Sequence, residues 1–140
     1  MASKMSTEEC LAQVPLFKDL SKKHLKRIAQ LATSLDLPPG KELTREGATG
    51  HEFVIVLEGE VEIRHGDEVI ATRGAGDFVG EIALLADRPR TATVVTKTPV
   101  SVEVIGRRDF LTMLDEEPEV AAQLESTMAE RLAELDQASS

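Results

Sequence analysis

The middle of the chain, residues 34–106, is a series of short apolar segments separated by glycine turns. These segments are rich in β-branched residues and read EFVIVLEG, EVEIRHGDEVIATRG, RTATVVTKT and VSVEVIG. Gly66-Asp67 divides the second of them and predicts a tight hairpin turn. PPGKEL and REGATG are predicted to be connecting loops. Strands this short, with turns this regular, predict a β sandwich or barrel.

Helical patterns flank this β core on both sides. LSKKHLKRIAQLA places apolar residues at helical spacing after Ser21, which is a suitable N-cap. RRDFLTML predicts a helix from Arg107, and Pro118 suits the first position of another. We therefore predict a single domain, mainly β with flanking helices. Its parts are a helical N-terminus (1–33), a β core (34–106) and C-terminal helices (107–140).

The last predicted helix carries one apolar stripe. Its members are Val120, Leu124, Met128, Leu132 and Leu135. A stripe of this kind packs on its own domain, forms the seam of a homodimer or serves as a movable lid, and the sequence leaves these alternatives open. Residues 116–119, just before and around the start of this helix, are the predicted hinge.

Composition excludes several classes of function. The net charge of −9 argues against DNA or RNA as a direct partner, because phosphate backbones are bound by basic faces. No apolar run is long enough to span a bilayer, and the single Cys10 favours a reducing, cytoplasmic setting. The three histidines are scattered through the sequence, so we expect no metal site, no catalytic residues and no resident cofactor.

The segment DFVGEIALLADRPRTATVV combines features of an anion site. Gly80 allows close approach to the backbone, and the N–H groups of Ile82 and Ala83 would begin a helical turn without intrahelical acceptors. Arg90 can hold a phosphate by two hydrogen bonds. Glu81 would repel a simple phosphate, because a carboxylate only accepts hydrogen bonds. It fits a ligand with a hydroxyl donor beside the phosphate, such as the ribose 2′-OH of a 3′,5′-cyclic nucleotide.

From about Val14 to Leu135 the chain resembles the cyclic nucleotide-binding domain family. The resemblance is strongest in its phosphate-binding cassette, residues 78–94, through Phe78, Gly80, Glu81, Ala83, Leu84 and the run from Pro89 to Val94. It implies a β jelly roll, with Glu81 on the ribose 2′-OH and Arg90 on the cyclic phosphate. It further implies phosphate contacts from the N–H groups of Ile82, Ala83 and Thr91, an apolar wall against the base from Val61, and an aliphatic lid from Leu132 or Leu135.

The expected ligand is cAMP, with cGMP as the close alternative. In similar proteins a threonine after the arginine, in the place of Thr91, can hydrogen-bond a guanine amino group, but a β-branched residue also suits the start of a strand. No helix-turn-helix, kinase or channel segment is recognisable, so we expect a stand-alone sensor that moves its C-terminal helices and acts through an unknown effector protein. The alternative is a ligand-free module for interaction or dimerisation.

Overall fold

The computed structural model describes residues 6–85 and 89–139, including all their side chains except those of Ala83 and residues 135–139. Within these residues, five α-helices and a short 3₁₀ turn at Pro15–Phe17 surround the β structure. The helices are α1 (Thr7–Ala12), α2 (Lys22–Leu31), α3 (Glu81–Leu85), α4 (Arg107–Glu116) and α5 (Pro118–Ser139). None of the described helices is both long and apolar enough to cross a membrane.

In the described part of the chain, eight strands form two antiparallel sheets of four. They are β1 (Thr33–Leu37), β2 (Glu42–Thr44), β3 (Glu52–Glu58), β4 (Val61–His65), β5 (Glu68–Arg73), β6 (Phe78–Val79), β7 (Thr93–Thr96) and β8 (Val100–Gly106). One sheet has the order β1-β8-β3-β6 and the other β2-β7-β4-β5. Strands distant in sequence are neighbours in both sheets, as in a jelly roll. The fold class predicted from the sequence is confirmed.

Two apolar clusters hold the layers together. Val54 and Val56 of β3 face the cluster between the sheets, whereas Phe53 and Ile55 face the cluster under the helices. Because β3 is buried on both faces, its sequence is a continuous apolar run instead of an alternating one. Under the helices, the Phe53 ring lies 4.8 Å from that of Phe110 on α4. Through this contact, α4 packs directly on β3.

The connection between α4 and α5 contacts α2. The chain leaves α4 at Glu117, which is 5% exposed, and α5 begins at the next residue. Nδ1 of His24 lies 2.6 Å from the Glu117 carboxylate, and Arg27 donates to Glu116 at 3.0 Å. The predicted hinge region is therefore a helix break. Whether it moves stays a prediction.

One predicted loop contains a strand. PPGKEL was expected to connect elements, but Glu42–Thr44 pairs with β7 and forms the edge of the second sheet. This strand has three residues and only one apolar side chain, so it carries no local alternation. Its pairing with residues 94–95, about fifty positions away in the sequence, defines it.

Candidate functional site

The site is organised around a tight backbone turn at Gly80. Gly80 has a φ of +97° and immediately precedes α3. A Cβ on this residue would lie 2.6 Å from the carbonyl oxygen of Glu52 and 2.7 Å from Nη1 of Arg90. Both the dihedral angle and the space therefore require glycine. The first N–H groups of α3, which include those of Ile82 and Ala83, have no acceptors within the helix.

Arg90 is a buried cation held by backbone carbonyl groups. It is 7% exposed, and its guanidinium donates to the Glu52 carbonyl at 2.8 Å and the Gly80 carbonyl at 3.2 Å. Its own backbone is fixed by hydrogen bonds with Gly47 and Ala48. Burial lowers the pKa of Arg90, and the carboxylates of Glu52 and Glu81 oppose that change.

Within the described residues, no carboxylate lies within 4 Å of the Arg90 guanidinium. Burying a cation without a counter-ion is unfavourable, and an anionic ligand relieves it. The position of Arg90 beside the start of α3 therefore makes this part of the site suitable for an anion.

Glu81 is a buried carboxylate at the other side of the same turn. It is 2% exposed, and both of its oxygens accept from Nη1 of Arg131, at 2.9 and 2.6 Å. Burial raises the pKa of Glu81 above its ordinary value, and the nearby Arg131 guanidinium offsets part of that rise. Two carboxylate oxygens offer about four acceptor positions. Glu81 thus retains acceptor capacity for a hydroxyl group while it is paired with Arg131.

Arg131, on α5, joins this helix to the site. Besides Glu81, it donates to the Phe78 carbonyl and the Asp77 carboxylate, each at 2.7 Å. Its guanidinium also lies 4.6 Å from the centre of the Phe78 ring. Nothing local in the sequence predicts this role. The one available signal is that Arg131 follows the buried Leu124 by seven residues and so lies on the same helix face.

These residues surround a cavity of about 510 Å³, a figure that includes open solvent at its mouth. Its polar end contains Gly80, Glu81, Ile82, Arg90 and Thr91. Its apolar wall is formed by Ile63, Ile70, Val79, Ala92 and Val94, and Arg73, Arg131 and Glu134 line the side near α5. The arrangement suits a ligand with an anionic group at one end, an adjacent hydroxyl donor and a flat apolar part.

The structure brings together most of the predicted site residues. Gly80, Glu81, Ile82, Arg90 and Thr91 all line the cavity, and the backbone of Ala83 lies in α3 beside them.

The predicted contacts to the base were Val61 as an apolar wall and either Leu132 or Leu135 as a lid, and none of these side chains is seen to line the cavity among the described residues. Val61 is fully buried between the sheets, and Ile63, two residues further along β4, lines the cavity in its place. Leu132 is half-buried and is not one of the lining residues. The side chain of Leu135 is outside the described part of the chain. Among the described side chains of α5, those that line the cavity are the charged Arg131 and Glu134.

Fold and site together define a jelly-roll domain whose cavity suits an organic anion that also carries a hydroxyl donor. The family model for the cyclic nucleotide-binding domain matches residues 34–117. This chain therefore belongs to the cyclic nucleotide-binding domain family.

Known proteins similar to this chain include regulators of protein kinases. A cAMP-dependent protein kinase regulatory subunit of Yarrowia lipolytica is 39% identical over 106 residues, covering 74% of this chain and 28% of the relative. A solved structure described as cAMP-bound PfPKA-R (141–441) superposes with a TM-score of 0.80 at 27% identity, covering 92% of this chain and 46% of that one.

A second solved structure is the regulatory subunit of a cAMP-independent protein kinase A from Trypanosoma brucei. Its TM-score is 0.76 at 30% identity, and the match covers 84% of this chain and 44% of that one. The chain thus spans less than a third of the first relative's length, and less than half of either solved chain.

Proposed function

We propose that this domain binds a 3′,5′-cyclic nucleotide, cAMP in preference to cGMP, and that binding stabilises the docked position of α5. The observation that carries the proposal is the pairing of a buried Arg90 lacking a described counter-ion with a buried acceptor, Glu81, across Gly80. The family to which the chain belongs supports the same ligand class. The domain acts as a regulatory binding module and not as an enzyme.

The cyclic phosphate lies between the Arg90 guanidinium and the N–H groups of Ile82, Ala83 and Thr91. A charged donor and several N–H groups can share the single negative charge of a diester without a metal ion. The ribose 2′-OH donates to Glu81. A nucleotide that lacks this hydroxyl would leave the buried carboxylate with an unused acceptor and is therefore bound more weakly.

The base lies against the apolar wall formed by β4, β5 and β7. The preference for cAMP is supported by the regulatory subunits to which the chain is similar. Thr91 lines the cavity, and its hydroxyl is the group that would donate to or accept from a guanine. For this reason cGMP is the rival ligand, and the cAMP-independent kinase subunit makes a direct comparison of nucleotides necessary.

Ligand binding is coupled to the docking of α5 because Glu81 accepts hydrogen bonds from both the ribose 2′-OH and Arg131. Arg131 and Glu134 line one side of the cavity only while α5 is docked, so a ligand that fills the cavity has extra contacts in the docked state. A ligand shifts a conformational equilibrium by the difference between its affinities for the two states. Cyclic nucleotide therefore favours docked α5, and an unidentified partner protein in a reducing, cytoplasmic setting responds to the position of this helix.

Calorimetry with cAMP, cGMP and 5′-AMP tests the proposal. We expect saturable binding of cAMP, weaker binding of cGMP, and a further loss for 5′-AMP, whose phosphate is not cyclised. Arg90→Ala should abolish binding, whereas Arg45→Ala should not, because Arg45 is an exposed arginine that pairs with Glu42 and does not line the cavity. Saturation at about 100 times the dissociation constant should add roughly 2.7 kcal/mol to the free energy of unfolding. Equal binding of cAMP by wild type and Arg90→Ala would reject the proposal.

A further inference from the structure

A second cavity lies beside α1 on the face of the β1-β8-β3-β6 sheet that points away from the other sheet. Ser101 and Glu103 on β8 alternate with Val100 and Val102, which pack between the sheets, and so project from the opposite face. The cavity has a volume of about 1680 Å³, a figure that includes open solvent at its mouth, and α1 borders it through Thr7 and Cys10. None of its lining residues belongs to the nucleotide site.

Two polar pairs cross from β1 to β8 in this cavity. Ser34 lies opposite Glu103, and Asp36 lies opposite Ser101. In each pair the serine hydroxyl donates to the carboxylate. The two pairs are separated by two residues along each strand, which corresponds to about 6.6 Å. An extended peptide has the same distance between successive side chains on one face.

The negative charge in the cavity is not neutralised by the described part of the chain. Glu103 is 2% exposed, and its Oε1 has no hydrogen-bond partner among the described residues. The described residues form no ion pair within 4 Å with Asp36, Glu58 or Glu103. Consistently, burial raises the pKa of the Cys10 thiol, and the Glu58 and Glu103 carboxylates raise it further.

A buried carboxylate that receives one neutral hydroxyl is under-compensated, and a cation in the cavity would supply the missing charge. The cation is not a metal ion, because no three of the described His, Cys, Asp and Glu side chains are arranged to hold one. An ammonium or guanidinium group fits, since Leu57 and Pro99 offer apolar surface for the aliphatic stem of a lysine or arginine.

We propose that this second cavity, an acidic groove along β1 and β8, binds an extended peptide of a partner protein. The peptide has basic residues at alternate positions, Lys/Arg-x-Lys/Arg. β1 is the end strand of its sheet, and four of its five residues are exposed. An end strand has backbone groups free to pair with an added strand. A peptide placed along β1 would bring one basic side chain to Glu103 and the next to Asp36.

Fluorescence anisotropy with the labelled peptide TVKVRVT tests the proposal, with TVEVEVT as the charge-reversed control. We expect saturable binding of the first peptide only, weakening as salt is raised. Asp36→Asn and Glu103→Gln should each weaken binding about tenfold. Glu68→Gln, an exposed carboxylate on the other sheet, should leave it unchanged. Hydrogen exchange of β1 amides should slow when the peptide binds.

The proposal is overturned if the peptide does not bind, if both charge variants bind like wild type, or if β1 exchange is unaffected. Competition by free spermidine as effective as the peptide would instead indicate a site for small amines. A dimer that dissociates on adding peptide would indicate that a second copy of the chain fills the groove. Binding should be equal with and without saturating cAMP, so this result is independent of the nucleotide site.

Discussion

Replacing Arg131 by methionine should undock α5. The substitution keeps most of the apolar stem but removes the four hydrogen bonds of the guanidinium, two of them to Glu81. Arg131 is 11% exposed and Glu81 2% exposed, so the carboxylate would be left buried without its cation. Breaking a buried pair in this way costs about 3–5 kcal/mol. Because α5 can detach locally, the loss in the free energy of unfolding cannot exceed the free energy of that detachment. We therefore expect a loss of roughly 3 kcal/mol.

Urea denaturation and hydrogen exchange measure the two consequences. The free energy of unfolding should fall, and amide exchange should accelerate in α5 more than in α4, which packs on Phe53 through Phe110. The matched double variant, Arg131→Met with Glu81→Gln, removes the uncompensated charge and should recover part of the loss. A loss of less than about 1 kcal/mol in the free energy of unfolding for Arg131→Met would contradict this prediction. So would a double variant whose loss equals the sum of the losses of Arg131→Met and Glu81→Gln.

Three further predictions concern the site, the core and pH. Gly50→Ala should weaken cyclic nucleotide binding at least about tenfold by calorimetry, because its Cβ would overlap the Arg90 side chain at Nε and displace the guanidinium. Phe110→Ala should lower the free energy of unfolding by about 3–5 kcal/mol in urea, because its side chain is fully buried. The stability of wild type relative to Glu81→Gln should decline as pH rises above 4.5. The raised pKa means that the native state retains a proton which the unfolded state has released.

Each of these predictions has a control on the same chain. Gly74→Ala meets no atom closer than 3.9 Å and should bind nucleotide normally, so loss of binding in both glycine variants would contradict the steric argument. Leu111→Ala changes a side chain that is 44% exposed and should cost less than about 1 kcal/mol. For the pH series, a wild-type stability that rises relative to Glu81→Gln above pH 4.5 would reverse the predicted sign.

The sequence predicts the parts of this protein that depend on local interactions. The hairpin at Gly66, the helix start at Pro118 and the turn at Gly80 all follow from glycine and proline conformational preferences and from apolar periodicity. The grouping of Glu81 with Arg90 could be predicted because both lie in one short segment.

The features that the sequence does not predict depend on contacts between distant segments. Glu42–Thr44 is a strand only because β7 pairs with it. Arg131 reaches Glu81 across fifty residues, and one more charged residue on a charged helix gives no signal by itself. The cavity wall contains Ile63 instead of the predicted Val61 for a similar reason. Both residues lie on the same face of β4, and only the position of neighbouring elements decides which one the cavity meets.

The most direct test of the account compares cAMP with 2′-deoxy-cAMP by calorimetry on the wild-type protein. The two ligands differ only in the hydroxyl group that Glu81 is proposed to accept. A hydrogen bond to a charged group contributes about 1.5–3 kcal/mol, so the deoxy ligand should bind at least about tenfold more weakly. Equal affinities for the two ligands, or no binding of cAMP, would contradict the central claim.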